Sequence, residues 1–289
     1  MRSKLFVPGS RSELFTKALA SQADAISIDL EDAVAESRKA EAREVVAAFL
    51  QSDDVRATQK VVIVRVNALG TPHFEADVMA ITRPGLTLLN LPKPECAEDI
   101  HAAVAVLARA EAANNVRAPV RILANIETPR ALRCAVEIAA AHPRVAGLQL
   151  GFGDLFEPIG IDRQDPANVH AAMFAVRMAA GEAGVFAYDG AFADVQNNDG
   201  FRAEAEMAQR LGFWGKSCIH PSQIALANDV FGPSDEDVAQ AERVLEASRQ
   251  AQVDGVGAFM VGGKMIDIPF IRRAEVIVAI ARRRGLSLQ

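Results

Sequence analysis

Two acids in this chain sit where a cation is the simplest explanation for them. Glu127 follows the apolar run 121–126, and Asp154 lies shortly after the run 145–150. If these runs are neighbouring strands, about 4.8 Å apart, the two carboxylates repel unless a cation or a shared proton separates them. Two oxygen ligands with open positions suit Mg²⁺, or Mn²⁺ in its place. Zn²⁺ prefers His and Cys, which this region barely supplies. The other reading is that both acids cap the helices that follow.

Other side chains fall near the ends of similar runs. Arg65, in the otherwise aliphatic run 61–66, either pairs with Glu31 or Asp32 or grips a substrate carboxylate with its planar fork, and the two roles are compatible. Ser10 to Glu13 opens a helix near Arg11 and Lys17, a place where free backbone N–H groups can receive a phosphate. His220, before Pro221, reads as an orienting residue rather than a base. Lys93 and Lys216 raise imine chemistry, which a metal site makes unnecessary.

These groups need a scaffold that brings strand ends together. Apolar, β-branched runs at 4–7, 25–30, 61–66, 86–91, 121–126, 145–150, 185–188 and 212–219 recur about every 30 residues, leaving room for one helix between strands. Ser10 and Glu13 have capping-box spacing, and Thr128-Pro129 reads as an N-cap with proline at N1, followed by a buried face through Leu132, Val136 and Ala139. Eight βα units predict an α/β fold, a (β/α)8 TIM barrel over residues 1–233, whose functional groups belong at the C-terminal ends of the strands. No G-x-G-x-x-G follows the first run, which disfavours an open dinucleotide-binding sheet. Residues 234–289 predict a helix over 234–252, a hairpin turning at Gly262-Gly263, and a last helix from near Pro269 to Arg282–Arg284. This helix-hairpin-helix extension is too small for a domain and is expected to pack on the barrel or on a neighbouring subunit.

Composition narrows the classes. The chain has 289 residues, half of them hydrophobic, enough to bury a large core. With 31 basic against 37 acidic residues and no basic run, nucleic acid is not an expected partner. Cys96, Cys134 and Cys218 lack metal-type spacing and suit reduced thiols. The quickly broken N-terminal segment is no signal peptide, and no apolar stretch is long enough for a membrane helix, so a soluble cytoplasmic protein is expected.

Seven ordered motifs, Leu5-Phe6-Val7-Pro8-Gly9, Asp29-Leu30-Glu31-Asp32, Val64-Arg65-Val66-Asn67, Ile126-Glu127-Thr128, Gly153-Asp154-Leu155, Ile219-His220-Pro221 and Met265-Ile266-Asp267, span nearly the whole chain. Together they resemble the citrate lyase β-subunit-like family of the HpcH/HpaI aldolase superfamily, with its malyl-CoA, β-methylmalyl-CoA and citramalyl-CoA lyases. The resemblance implies a (β/α)8 barrel, a homotrimer or dimer of trimers, and Mg²⁺-dependent, reversible carbon–carbon cleavage of a 3-hydroxyacyl thioester. It carries the metal ligands onto Glu127 and Asp154 and substrate binding onto Arg65 and Glu127. Acyl-carrier contacts fall on Phe6, Lys17, Ile219 and His220, and the catalytic acid on Asp267. Glu13 stands where some members have lysine, a departure that bears on CoA phosphate binding. The resemblance fits a freestanding CoA-thioester lyase or a citrate lyase β subunit acting on a citryl-acyl carrier protein. A noncatalytic metal-binding regulatory subunit would not need Asp267.

Overall fold

In a computed structural model, which describes residues 1–253 and 255–283, the chain divides into two compact units, Met1–Phe231 and a second beginning at Gly232. The first unit holds eight strands: β1 Ser3–Pro8, β2 Ala25–Asp29, β3 Val61–Arg65, β4 Leu88–Leu91, β5 Arg121–Ile126, β6 Val145–Leu150, β7 Phe186–Tyr188 and β8 Lys216–Cys218. They form a parallel sheet in the order β7-β6-β5-β4-β3-β2-β1-β8. Strands buried on both faces need apolar residues at nearly every position, so the sequence shows them as continuous runs rather than as an alternation. Between β7 and β8 the ladder is short: Trp214 N–H to Ala187 O (2.9 Å), Asp189 N–H to Gly215 O (2.9 Å) and Ser217 N–H to Asp189 O (3.1 Å) complete the (β/α)8 barrel.

Helices cover the outside with faces at three- and four-residue spacing, as in Ala97–Ala113, which buries Ile100, Ala103, Leu107 and Ala110. Thr128 caps its helix as expected, its Oγ1 accepting from Ala131 N–H at 3.0 Å. That helix ends at Arg133 and a second begins at Ala135, so the buried face is Ala131, Ala135, Ile138 and Ala139, with Leu132 and Val136 only partly covered. The Ser10/Glu13 capping box does not form. Arg11 N–H bonds Pro8 O in a tight turn, Glu13 turns to Arg11 (2.9 Å), and a 3₁₀ turn, Ser12–Leu14, precedes the helix Phe15–Ala20.

The second unit has a helix, Asp235–Val253, capped by Ser234 Oγ, which accepts from Asp237 N–H at 3.0 Å. Antiparallel strands β9 Phe259–Val261 and β10 Lys264–Ile266 follow, then a helix, Ile268–Arg283. Gly262 and Gly263 both have positive φ, 56° and 78°, as a two-residue hairpin turn of this hand requires. Ala241, Val244, Ile266, Ala274 and Val278 form this unit's own buried cluster. Arg284, expected to help close the last helix, lies outside the described residues.

The closed end of the barrel interior is apolar, with Ala25, Ile63, Leu88 and Ala146 packed against Phe186. Gly147 on β6 makes this fit possible, because a Cβ there would sit 2.4–2.7 Å from three atoms of the Phe186 ring. Gly147→Ala is therefore expected to destabilise the protein by roughly 1–3 kcal/mol through overpacking. The loss is read from urea denaturation, and Phe186→Leu in the same background should recover part of it.

Candidate active site

The opposite end of the barrel is crowded with charge. Parallel pairing of β2 and β3 puts Asp29 beside Arg65. Arg65 Nε and Nη2 donate to the two oxygens of Asp29 at 2.8 and 2.6 Å, and Nη1 lies 2.9 Å from Glu31 and 3.3 Å from Asp32. The partners expected from sequence are present, but the two-bond grip falls on Asp29, which the sequence places at a strand tip without showing its partner. Burial works against the Arg65 charge; hydrogen bonds to Asp29 and the nearby acids outweigh it and hold the guanidinium protonated. Asp29 also accepts Glu31 N–H (2.9 Å) and Ala33 N–H (3.0 Å), so the same carboxylate folds the loop that presents Glu31.

Phe6 lies against this group, its ring centroid 5.3 Å from Arg65 Cζ. The wholly buried Lys4 approaches the same ring at 4.5 Å and donates to Gln149 Oε1. Burial, reinforced by Arg65, pushes the Lys4 ammonium well below its ordinary range.

Glu127, only 3% exposed, accepts from Asn125 Nδ2 at 3.0 Å and from Lys93 N–H at 3.2 Å. Gly151 makes room for it: a Cβ there would stand 2.3 Å from Glu127 Cγ. Burial is the main cause that raises the Glu127 carboxyl to about 7; Arg65 opposes the rise, and Glu31 and Asp154 add to it. Asp154 lies in the helix Phe152–Phe156, which buries Phe152, Leu155 and Phe156 and leaves the carboxylate half-exposed. Neither acid caps a helix, since Thr128 caps the first and Gly151 stands at the N-terminus of the second. Lys93 Nζ joins the groups, 3.3 Å from Asp154 and 3.4 Å from Glu31. Burial opposes the Lys93 charge, but Glu31, Glu127 and Asp154 raise the ammonium above its usual range.

Five carboxylates thus face two cations, and buried Glu31 Oε2 has the Arg65 guanidinium at 2.9 Å as an ion-pair partner but makes no hydrogen bond among the described residues. An all-oxygen donor set with surplus negative charge fits a hard divalent cation. Among the described residues no three His, Cys, Asp or Glu side chains converge closely enough to hold a metal ion between them.

A surrounding layer that sequence reading missed fixes the loops. Lys39 Nζ donates to Leu30 O (3.1 Å), Glu31 O (2.9 Å) and Asn67 Oδ1 (2.6 Å). Asp77 accepts Asn67 N–H (3.0 Å) and Arg43 Nε (2.8 Å). The one available signal was Asn67 itself, a polar residue just beyond an aliphatic strand.

The other candidates of the first unit make none of these contacts. Lys216 is fully buried and bound to Asp189 and Glu204, both at 2.6 Å, so it is a structural cation rather than a free amine. Lys17 is exposed on its helix; Ile219 and His220 are exposed after β8, His220 Nδ1 being 2.8 Å from Ser222 Oγ. Asp267 belongs to the second unit, after β10; its Oδ1 is buried without a hydrogen-bond partner among the described residues.

Comparison with known proteins identifies the family. The HpcH/HpaI aldolase/citrate lyase profile matches residues 2–221. The chain belongs to that family. Among its relatives, the L-malyl-CoA/β-methylmalyl-CoA lyase of Rhodobacter capsulatus is 36% identical, over 96% of this chain and 93% of the relative. The citrate lyase β subunit of Haemophilus influenzae is also 36% identical, over 97% of each chain. The solved CitE of Mycobacterium tuberculosis in complex with magnesium, acetoacetate and coenzyme A is 33% identical, with a TM-score of 0.76 over 98% of this chain and all of that one.

The position of Glu127 has a consequence for stability. Its carboxyl is raised from 4.5 to about 7 in the folded chain, so the fold gains from protonation. That gain is full below pH 4.5 and is lost as pH rises through 7, on the order of 3 kcal/mol across the window. In chelator, urea unfolding at pH 5 and pH 8 should show wild type losing stability relative to Glu127→Gln. Parallel pH dependence of the two proteins would contradict the raised value.

Proposed function

We propose that this chain is a Mg²⁺-dependent carbon–carbon lyase that reversibly cleaves a 3-hydroxyacyl-CoA thioester, such as malyl-CoA or citramalyl-CoA, to a 2-oxo acid and a shorter acyl-CoA. The observation that carries the reading is the carboxylate surplus around Glu127 and Asp154, linked through Lys93 and set beside Arg65. The lyases among its relatives, and the solved relative that holds magnesium and coenzyme A, support it.

In this reading Glu127 and Asp154 hold Mg²⁺, with Mn²⁺ able to replace it. The bound ion supplies Lewis acidity toward the oxygen whose charge changes during cleavage. Arg65, immobilised by Asp29, binds the carboxylate of the departing 2-oxo acid through Nη1. Asp32, 3.3 Å away and the most exposed of the three acid partners, is the one the substrate displaces. Phe6 supports the guanidinium from its flank. Phe6, Lys17, Ile219 and His220 take the acyl-carrier end of the substrate. As the carbon–carbon bond breaks, the hydroxyl proton passes to solvent water, the hydroxyl carbon becomes the keto carbon, and the bonding pair passes to the thioester α-carbon as an enolate. Asp267 protonates that carbon, and removes the proton in the condensation direction. The working assembly in this reading is a cytoplasmic homotrimer or dimer of trimers.

A screen of malyl-, β-methylmalyl-, citramalyl- and citryl-CoA for 2-oxo acid release tests this. One CoA ester should turn over with Mg²⁺ or Mn²⁺, and Glu127→Ala or Asp154→Ala should abolish metal binding and turnover together. Full activity after thorough chelation would refute the metal's role, and activity confined to citryl-acyl carrier protein would assign the chain to a citrate lyase complex.

Asp267 is separable from a capping residue. Asparagine still caps a helix, so Asp267→Asn should keep the melting temperature while turnover falls a hundredfold or more. Mixed oligomers of Asp267→Asn with Glu127→Ala should regain activity if the acid is supplied by a neighbouring copy.

A further inference from the structure

Lys93 is unusual in both its backbone and its side chain. It stands between Pro92 and Pro94 with φ at 50°, in the left-handed region that a non-glycine residue rarely adopts. Such a conformation persists only where the surroundings hold it. Here its N–H points to Glu127 Oε2 at 3.2 Å, while Nζ extends to Asp154 Oδ1 at 3.3 Å and Glu31 Oε1 at 3.4 Å. One residue therefore touches both acids assigned above to the metal, through two separable devices. The main-chain contact orients Glu127 whatever the side chain is. The ammonium lays a full positive charge on Asp154.

That second device opposes the first reading's chemistry in a measurable way. A divalent ion drawn to Asp154 meets an ammonium already 3.3 Å from one of its oxygens, and like charges at this range repel strongly in a site partly screened from water. Arg65 cannot play the same part, because its donors are committed to Asp29, Glu31 and Asp32. Resting on the metal assignment above, we propose that Lys93 is an internal competitor of the divalent cation: it pairs with Asp154, yields that carboxylate when the ion binds, and so sets the metal affinity below what the carboxylates alone would reach. In terms of roles, Lys93 is a positioning residue that acts through Glu127 and Asp154.

The experiment is calorimetric titration of the full-length protein with MgCl₂, paired with thermal melts with and without Mg²⁺. Lys93→Met keeps the backbone donor and most of the side-chain volume but removes the charge. Its Mg²⁺ dissociation constant should be about tenfold lower than that of wild type, and Mg²⁺ should raise its melting temperature by more. Lys93→Arg, which keeps the charge, should stay near wild type. Lys93→Gln provides a second neutral variant should the methionine protein fold poorly. General damage to the site would weaken metal binding, the opposite direction, so unchanged or weaker affinity in folded neutral variants overturns the proposal. Wild type that binds no Mg²⁺ would overturn the metal site itself, and this inference with it.

Discussion

A guanidinium inside the barrel mouth is what allows so many acids to be buried together. Arg65 is 13% exposed, and its partners Asp29 and Glu31 are 4% and 9% exposed. Carboxylates that lose their water need a counter-ion and hydrogen bonds, and leaving one such charge uncompensated costs about 3–5 kcal/mol. A pair of this kind need not stabilise the fold more than a hydrophobic substitute would. Its effect here is geometric: it ties the tip of β3 to the tip of β2, and Asp29 then pins the loop that carries Glu31. Glu31 and Lys93 link that loop to Asp154 beyond β6, so the arrangement of the rim depends on one cation at β3.

Around that charge the protein has built a rigid frame from outside the barrel. Lys39, on the helix that follows the β2 loop, binds two carbonyls of the loop and Asn67 beyond β3. Groups that must meet a substrate in fixed geometry are best held by side chains that are themselves locked. The rim meets that condition at β2, β3 and β5. Asp154 is the exception, being half-exposed and held, among the described residues, only by an ion pair with the Lys93 ammonium.

Much of this was legible in the sequence, for physical reasons that also explain what was not. Parallel strands covered on both faces advertise themselves as aliphatic runs, which made strands such as β3 plain, whereas β8, Lys-Ser-Cys, showed only through its apolar flanks and the recurring spacing. Their ends were less clear. The run at 86–91 includes Leu86, which in the fold closes a turn onto Arg83 before β4 begins at Leu88. The span 212–219 shrinks to a three-residue strand. Glu127 and Asp154 stood out because charge at a strand tip is conspicuous. Asp29 as the partner of Arg65 was not legible, since interstrand register is absent from spacing along the chain. Lys39 was hidden because a lysine in a helical segment ordinarily reads as solvated surface. Lys216 misled for a related reason: an amine near a strand end resembles a reactive group until the helix Asn198–Arg210 brings Glu204 against it.

That last cluster gives the barrel a particular kind of closure. Where β7 meets β8 the backbone ladder is shortest, and the join is reinforced by Lys216 between Asp189 and Glu204, with Arg163 on the far oxygen of Glu204 at 2.6 Å. Burial works against the Lys216 charge, yet the two acids keep it protonated above its normal range. Seven junctions of the cylinder are thus sewn mainly by amide ladders, and the eighth is clasped by ions. Hydrogen-bonded ladders respond little to acidity, whereas an ionic clasp loosens once its carboxylates take up protons. At this seam Glu204, which Lys216 and Arg163 hold below the usual carboxylate range against its burial, is the acid that keeps the clasp charged as the pH falls.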